Sequence, residues 1–334
     1  MGSDPLSCHF LNALADCPDI EVVLVITQPD RGKGRHLRVV PGPVKELALS
    51  RDIPVITPVN VNAPFVMETL AGLGIDAIVV MAYGQFLREA LLELPPLGCI
   101  NLHVSLLPRW RGAAPIQRAI LANDAETGVT AMMMDRGMDT GDILGTVRCP
   151  IEPKDTTASI GAKLSKSGCE LAIEVLHQLS NGTCPRKPQP REGVTMAPKI
   201  LNEEASLDFS LSAIENERKV RALYPKPGAG TWIPVPGMKN PNGLPDGMLL
   251  KVLSANVETL PKGMALAMAG TLLELNQKSG PLIAGGAGKA LRLTQVQPQG
   301  GKPMPGSSFA NGYRSKIPIG IRCEKIPVVD KSLR

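Results

Sequence analysis

The 334-residue chain has few aromatic residues, no long apolar run and no paired-cysteine motif. Aromatic side chains make up only 3% of the residues, so base stacking would not dominate contacts with a nucleic acid. No apolar run approaches the roughly 20 residues that a membrane-spanning helix needs. The seven cysteines include no Cys-x-x-Cys pair, which argues against a zinc site and predicts reduced thiols in a cytoplasmic compartment.

Two motifs of α/β enzymes are also missing. The chain has no Gly-x-Gly-x-x-Gly turn, which argues against a nucleotide cofactor. It has no Gly-x-Ser-x-Gly motif, which argues against a serine nucleophile. The segment Met1–Pro5 lacks the basic and apolar parts of a secretion signal. With 43% hydrophobic and 20% charged residues, the composition is that of a globular protein with room for two domains.

Helical and strand patterns alternate from Cys8 to Asn181, which predicts an α/β domain, residues 1–182, with a doubly wound, mostly parallel sheet. The predicted strands are 20–27, 76–82, 99–105, 127–134 and 143–149. The predicted helices are 9–16, 43–50, 65–73, 114–122 and 159–179. Residues 183–206 are rich in proline, glycine and polar residues, which indicates a linker.

The remaining residues, 207–334, are predicted to form a second, smaller domain. A helix at 212–223 is followed by short β-like runs between Pro/Gly turns, at 251–254, 270–275, 281–284 and 291–297. This pattern suits a small OB-like β-barrel, and such barrels often bind nucleic acid on one face. A barrel that only packs on the first domain is the alternative.

Positive charge is concentrated near the carboxyl terminus. The last 54 residues, from Pro281, contain nine Lys and Arg residues against Glu324 and Asp330, a balance of +7. Because the whole chain carries +5, the preceding 280 residues sum to −2. A basic segment on a near-neutral body indicates a polyanionic partner. A solvated tail explains the same charge equally well.

The predicted strand that begins at Cys99 carries two polar side chains, Asn101 and His103. They are two residues apart, so they project to the same face of the strand. Both lie near its carboxyl end, where open α/β sheets bind ligands. Asp139, in a glycine-flanked loop, can reach the same place. These three residue types alone leave a structural role for His103 the commoner explanation.

A longer motif around the same residues carries a family resemblance. Asn101-x-His-x-Ser-Leu-Leu-Pro108, with Asp139-Thr-Gly-Asp142 downstream, resembles the formyltransferases that use 10-formyltetrahydrofolate. The resemblance to their methionyl-tRNA formyltransferase branch extends over Ser105–Ile120, Thr127–Thr130 and Met138–Asp142. A match of this length is far more specific than a three-residue signature, and it favours a catalytic role for His103.

The resemblance implies a reaction and roles for the three residues. A formyl group would pass from 10-formyltetrahydrofolate to the α-amino group of methionine on initiator tRNA, with no metal and no covalent intermediate. Asn101 and a protonated His103 would donate hydrogen bonds to the formyl oxygen. Asp139 would hold His103 protonated and could take the proton of the attacking amine.

The resemblance also implies a folate pocket between two loops and the segment that follows Asn101 and His103. In one loop, backbone groups would read the edge of the pterin, so the path of the chain would matter more than residue identity. The residues expected to line the pocket are Met81, Ala82, Tyr83, Gly84, Ser105, Leu106, Leu107, Pro108, Met134 and Gly137.

A glycine-containing basic loop at residues 28–38 suits phosphate contact, although a charge run is more often a solvated surface. The family carries a similar, slightly longer loop that contacts the acceptor arm of initiator tRNA. The resemblance therefore implies initiator Met-tRNA and folate as partners, with no membrane or protein partner. The residues expected to bind tRNA are Arg31, Lys33, Arg35, Arg38 and Lys45.

Two other functions share part of this evidence. A formyltransferase acting on a nucleotide sugar or a glycinamide ribonucleotide would share Asn101, His103 and Asp139, but it would not explain the basic surfaces. A non-catalytic tRNA-binding relative would explain those surfaces, with the family's first strand missing before Met1–Pro5. The intact triplet favours catalysis, and we expect this sequence to begin downstream of the natural start.

Overall fold

The computed structural model describes residues 1–33, 38–239, 244–260, 263–264 and 267–327, without the side chains of Arg31, Lys33 and Arg38. The chain forms two compact units. The first comprises residues 1–116, 125–151 and 159–198, and the second comprises residues 117–124, 152–158 and 199–334. No helix within these described ranges is both long and apolar enough to cross a bilayer.

Helices and strands alternate in the amino-terminal half, as the sequence pattern predicts. The helices are α1 (Pro5–Ala15), α2 (Pro43–Ser50), α3 (Pro64–Leu73), α4 (Glu89–Leu92), α5 (Pro115–Leu121) and α6 (Thr157–Ser180). The strands are β1 (Val25–Ile26), β2 (Arg31–Lys33), β3 (Arg38–Val40), β4 (Val55–Ile56), β5 (Ile78–Val80), β6 (Cys99–His103), β7 (Glu126–Met133) and β8 (Ile143–Pro150).

The ladders of this half combine parallel and antiparallel pairs. β1 pairs with β4 and β5 pairs with β6 in parallel, whereas β7 is antiparallel to both β6 and β8. β2 and β3 form a separate antiparallel hairpin. The strand predicted at residues 20–27 is reduced to β1, because residues 20–24 belong to no described ladder. The α/β class is as predicted, and the short elements β2, β3, β4 and α4 are additional to the predicted ones.

Residues 1–3 lie between β1 and β5. The Gly2 N–H donates to Ile26 O at 3.1 Å, and Gly2 forms a single parallel bridge with Met81. No longer strand precedes α1 among the residues that the structure describes. A cavity of about 1070 Å³ adjoins this segment and is lined by residues on both sides of it, including Leu24 and Val79. Residues 1–3 thus lie where the family's first strand is expected, and they form a single β-bridge there instead of a strand.

The long helix α6 packs closely on its neighbours because it carries small residues where it meets them. A Cβ atom on Gly168 would lie 2.8 Å from the Phe10 ring of α1 and 3.1 Å from Val129 of β7. The first helix is itself well specified, since Asp4 caps it by accepting the Leu6 N–H at 3.0 Å and Pro5 opens it. These contacts fix α1 and α6 on the same part of the sheet.

The second unit is built on an antiparallel sheet with two helices. After a short 3₁₀ turn at Asn202–Ala205 come α7 (Ala213–Leu223), β9 (Ala229–Ile233), β10 (Met248–Thr259), β11 (Leu272–Asn276), β12 (Gly280–Ala284), β13 (Lys289–Pro298), β14 (Met304–Pro305) and α8 (Gly306–Tyr313). The strand order is β11-β12-β13-β10-β9, with β14 beside β13. The sequence pattern finds α7 and β10 to β13 but misses β9.

The chain near its carboxyl end joins the two edges of this sheet. Trp232 of edge strand β9 exchanges both backbone hydrogen bonds with Glu324, at 3.0 and 2.8 Å. The other edge strand, β11, is met at Leu272, which donates to Ile321 O at 2.8 Å. Because one segment pairs with both edges, the sheet closes around its apolar core, as expected for a small barrel.

One charge counted in the basic carboxyl-terminal segment is neutralised inside this unit. Arg292, only 7% exposed, donates to Glu258 at 3.0 Å and to Glu274 at 3.1 Å. Burial alone would lower its pKa, but these carboxylates raise the pKa above its usual value. Arg292 therefore stays charged and joins three strands, instead of presenting its charge to a partner.

Candidate active site

β6 places Asn101 and His103 on one face of the sheet, as their spacing predicts. Asn101 lies opposite Val80 of β5 and Met132 of β7, and His103 lies opposite Thr130. His103 is 6% exposed, whereas Asn101 is half-buried. A central strand with partners on both sides holds the two side chains at a fixed spacing.

The segment that follows β6 is shaped by two buried hydroxyl groups. Ser105 is fully buried, and its hydroxyl donates to Arg109 O at 2.6 Å. The Thr130 hydroxyl donates to Ser105 O at 2.7 Å and accepts the Leu107 N–H at 3.2 Å. These bonds fold residues 105–112 back over the strand end and bring Trp110 against His103.

The two ring nitrogens of His103 have different partners. Nε2 lies 2.8 Å from Trp110 O, and a carbonyl oxygen can only accept, so Nε2 carries a proton. Nδ1 lies 3.6 Å from Asp139 Oδ2. With Nε2 committed to the carbonyl, Nδ1 can donate to a ligand only when both nitrogens are protonated.

Asp139 meets the other two predicted catalytic residues, as its loop position suggests. Its Oδ1 accepts from Asn101 Nδ2 at 3.3 Å, and its Oδ2 accepts the Gly112 N–H at 2.8 Å. Its φ of 55° lies in the left-handed region, which is uncommon for a residue other than glycine. The structure therefore brings Asn101, His103 and Asp139 together at the carboxyl end of β6.

Residues 183–198, part of the predicted linker, belong to the first unit. They contact the segments on which the site is built. Lys187 pairs with Ile143, and Met196 pairs with Arg111. The Thr195 hydroxyl accepts the Trp110 N–H at 2.9 Å, next to the carbonyl that contacts His103. This contribution is not predictable from the sequence, where only the local content of proline, glycine and polar residues is visible.

The residues expected around a folate lie in two further loops and in the segment after β6. Ala82 and Gly84 are exposed with φ of 47° and 83°, while Met81 and Tyr83 point into the core. Three backbone carbonyls of this loop already accept hydrogen bonds, at Met81, Ala82 and Tyr83. The exposed part of this loop is therefore Ala82 and Gly84, both in the left-handed region.

The other expected folate residues differ in exposure. Leu107 is buried like Ser105, whereas Leu106, Pro108 and Met134 are half-buried. Gly137 is exposed and donates its N–H to Asp135 at 2.9 Å. The assignment of these residues to a folate pocket stays a prediction.

Only part of the predicted tRNA-binding loop is described. Arg35 lies outside the described residues, as do the side chains of Arg31, Lys33 and Arg38, whose backbones form the β2–β3 hairpin. Lys45, at the start of α2, forms an ion pair with Asp30 at 2.5 Å. This pair ties α2 to the base of the hairpin.

The chain matches two families in sequence. Residues 8–176 match the family described as formyl transferase, and residues 199–314 match the one described as formyl transferase, C-terminal domain. It is 44% identical over 322 residues to a methionyl-tRNA formyltransferase of Symbiobacterium thermophilum, covering 96% of this chain and 93% of the relative. It is 42% identical over 301 residues to one of Janthinobacterium sp., covering 88% and 90%.

Solved structures with the same fold are more distant in sequence. A sugar 3N-formyl transferase, solved with dTDP and 5-N-formyl-THF, has a TM-score of 0.60 at 18% identity and covers 89% of this chain and 95% of its own. HypX from Aquifex aeolicus, in complex with tetrahydrofolic acid, has a TM-score of 0.57 at 20% identity and covers 85% of this chain and 47% of its own. At such identities the likeness concerns the fold.

Proposed function

The chain belongs to the methionyl-tRNA formyltransferases, enzymes that formylate the methionine carried by initiator tRNA, and on that premise we propose how its residues perform the transfer. The observation that carries the proposal is the meeting of Asn101, His103 and Asp139 at one strand end. We propose that the formyl donor is 10-formyltetrahydrofolate and that the acceptor is the α-amine of methionine on initiator tRNA.

The folate is expected between the loop at 81–84 and the loop at 134–137. The first loop follows β5, which pairs in parallel with β6, and the second leads directly to Asp139, which bonds Asn101. The exposed backbone at Ala82 and Gly84 suits recognition of a flat heterocycle whose edge carries several donors and acceptors. The folate-bound relatives of similar fold support a folate-derived donor.

In the transfer, the amine nitrogen attacks the formyl carbon, and negative charge develops on the formyl oxygen. Asn101 Nδ2 has two N–H groups, of which one is directed to Asp139, so the other can donate to that oxygen. A doubly protonated His103 can donate from Nδ1, because its Nε2 proton is held by Trp110 O. These two donors form the proposed oxyanion site.

Asp139 has two tasks in this scheme. Its carboxylate lies 3.6 Å from His103 Nδ1, where it is the counter-ion of the imidazolium. It also accepts the proton of the attacking amine, directly or through water, and returns it to N10 when the C–N bond to folate breaks. The products are formylmethionyl-tRNA and tetrahydrofolate, so the proton and the leaving group are both accounted for.

We propose that the tRNA is held through its phosphates by the basic loop and the second domain. The loop's basic residues Arg31, Lys33, Arg35 and Arg38, with Lys45 beside them, supply charge. The barrel-like second unit supplies a fold that suits nucleic-acid contact. We further propose a reducing compartment such as the cytoplasm, as the cysteine pattern of the sequence predicts.

The decisive experiment is transfer of labelled formyl from 10-formyltetrahydrofolate to Met-tRNA. Uncharged tRNA and free methionine serve as controls, and a nucleotide amino sugar and glycinamide ribonucleotide serve as competing acceptors. We expect label on charged initiator tRNA alone. Label on a small acceptor would contradict the tRNA assignment, and bound tRNA without transfer would contradict the catalytic one.

A further inference from the structure

The Gln189 side chain lies between two parts of the proposed active site. Its Nε2 donates to Asp139 O at 2.9 Å and to Gly141 O at 2.8 Å. Its Oε1 accepts from Arg111 Nε at 3.1 Å and from Nη2 at 2.7 Å. One amide thus connects the loop that carries Asp139 with the segment that follows β6.

The orientation of this amide is fixed by the chemistry of its partners. Carbonyl oxygens can only accept and a guanidinium can only donate, so exchanging the amide's nitrogen and oxygen would break all four bonds. Both N–H groups and both oxygen lone pairs are used. A side chain without this pattern would leave the buried Gly141 carbonyl and the half-buried groups of Asp139 and Arg111 without these partners.

The four bonds restrain the backbone of Asp139 directly and its carboxylate through the segment that contains Arg111 and Gly112. Gln189 holds the Asp139 carbonyl, and Asp139 has the uncommon φ of 55°. The Asp139 carboxylate is held by the N–H of Gly112, the neighbour of Arg111. Because Arg111 is bonded to Gln189, the backbone and the side chain of Asp139 are held by one hydrogen-bond network, formed by Gln189, Arg111 and Gly112.

We propose that Gln189 is a positioning residue for formyl transfer, which sets the location of Asp139 relative to His103 and Asn101. This inference rests on the proposed function, because it acts through the role given to Asp139. Gln189 touches neither His103 nor Asn101 in any bond described. It would therefore affect the chemical step more than the binding of either substrate.

The first test is Gln189→Glu, which keeps size and shape but places a carboxylate oxygen against two carbonyl oxygens. A misplacement of ~1 Å at a reacting group can cost about 100-fold in rate. We expect kcat to fall by about that factor with both KM values nearly unchanged. The control is Asn181→Asp, the same amide-to-carboxylate change at an exposed residue just after α6, which should leave kcat unaltered.

The second test asks whether Gln189 acts through Asp139. Residues that act as a unit give non-additive effects, so Gln189→Glu should cost little further in an Asp139→Asn background. Independent, multiplicative losses in the double variant would overturn the proposal. An unchanged kcat in Gln189→Glu, or a loss that falls on KM alone, would also overturn it.

Folding is monitored by thermal unfolding of each variant, and Gln189→Met removes the amide without adding charge. If both Gln189 variants fail to fold under assay conditions, the residue is structural and the proposal is wrong. Failure of the proposed function is distinguishable, because it would show as absent transfer in the unsubstituted protein. Wild-type transfer with a normal Gln189→Glu rate would contradict this inference alone.

Discussion

At His103, the two ring nitrogens have different partners, and the proposed chemistry depends on that difference. The Trp110 carbonyl keeps Nε2 protonated, which leaves Nδ1 to face Asp139 and the substrate. The N–H of the same residue, Trp110, donates to the hydroxyl of Thr195, far along the chain. The residue type and strand position of His103 are visible in the sequence, whereas the choice of nitrogen is not.

Removal of either proposed oxyanion donor should lower turnover without weakening tRNA binding. We expect Asn101→Ala and His103→Ala each to reduce kcat by about 10²–10³, the usual effect of losing such a donor. Single-turnover formyl transfer and filter binding of Met-tRNA measure the two quantities. The controls are Asn181→Ala and His9→Ala, both outside the site. Near-normal turnover in either active-site variant would contradict its assignment.

Asp208 should make the free energy of unfolding depend on pH in the acid range. Lys325 and then Ser210 bond its carboxylate and lower its pKa from 3.8 to about 2. A lowered folded-state pKa stabilises the protein above pH 3.8, and that contribution is lost as the pH falls toward 2. We expect Asp208→Asn to unfold at lower urea concentration at neutral pH, with the difference narrowing below pH 3.8.

Lys325→Met provides the matching test, because it removes the partner and leaves the carboxyl group. It should lose the larger part of the pH-dependent stability, because Ser210 still bonds the carboxylate. A constant difference between wild type and Asp208→Asn across this pH range would show that the Lys325 pair does not stabilise the second unit.

At the scale of elements, the turn between β7 and β8 leaves no room for a side chain beside Asp139. A Cβ atom on Gly141 would collide with Met133 O, which is backbone and cannot rotate away. The Gly141 carbonyl also accepts from Gln189. The glycine is therefore required by close approach and not by an unusual φ.

Gly141→Ala should destabilise the first unit and reduce formyl transfer together. Overpacking of this kind costs typically about 1–3 kcal/mol, and the shift of the turn would move Asp139. Urea unfolding and kcat measure the two effects. Gly72→Ala, in helix α3 with open space around it, should instead be neutral or stabilising by up to about 1 kcal/mol. Wild-type behaviour of Gly141→Ala would contradict the packing argument.

Most elements of both halves follow from the sequence, although the short helices α4 and α8 are not predicted. The errors in the strands share a cause. The predicted helix 43–50 and strand 143–149 match α2 and β8 closely, since their patterns are strong. The predicted strand 20–27 is mostly unpaired, and β9 is missed. A strand is defined by its partner, so apolar runs predict it only where the partner exists.

At the scale of the whole molecule, the predicted family, reaction and enzyme class are confirmed by relatives that cover nearly the whole chain. The folate pocket residues and the tRNA-binding residues stay predictions. So do the domain limits 1–182, 183–206 and 207–334, although residues 183–198 of the predicted linker are bonded within the first unit.

The affinity for tRNA should depend strongly on salt concentration and only weakly on any single basic residue. Each phosphate contact adds about one to the slope of log K against log salt concentration. We expect Lys45→Ala to weaken Met-tRNA binding and to lower that slope by less than one, because Lys45 is already paired with Asp30. The control is Lys166→Ala on the exposed side of α6, and filter binding over a salt series is the measurement. An unchanged slope would show that Lys45 does not contact a phosphate of the tRNA.

The sequence by itself determined the fold class, the family and the triplet Asn101, His103 and Asp139, because local patterning and a long contiguous motif carry that information. The tertiary structure decided which atoms of the triplet face one another, and it added Gly112, Trp110 and Gln189 to their support. It also showed Arg292 as a buried, paired charge where the sequence counted a basic surface residue. These contacts are hydrogen bonds and ion pairs between segments that are distant in sequence, and only the folded chain brings such segments together.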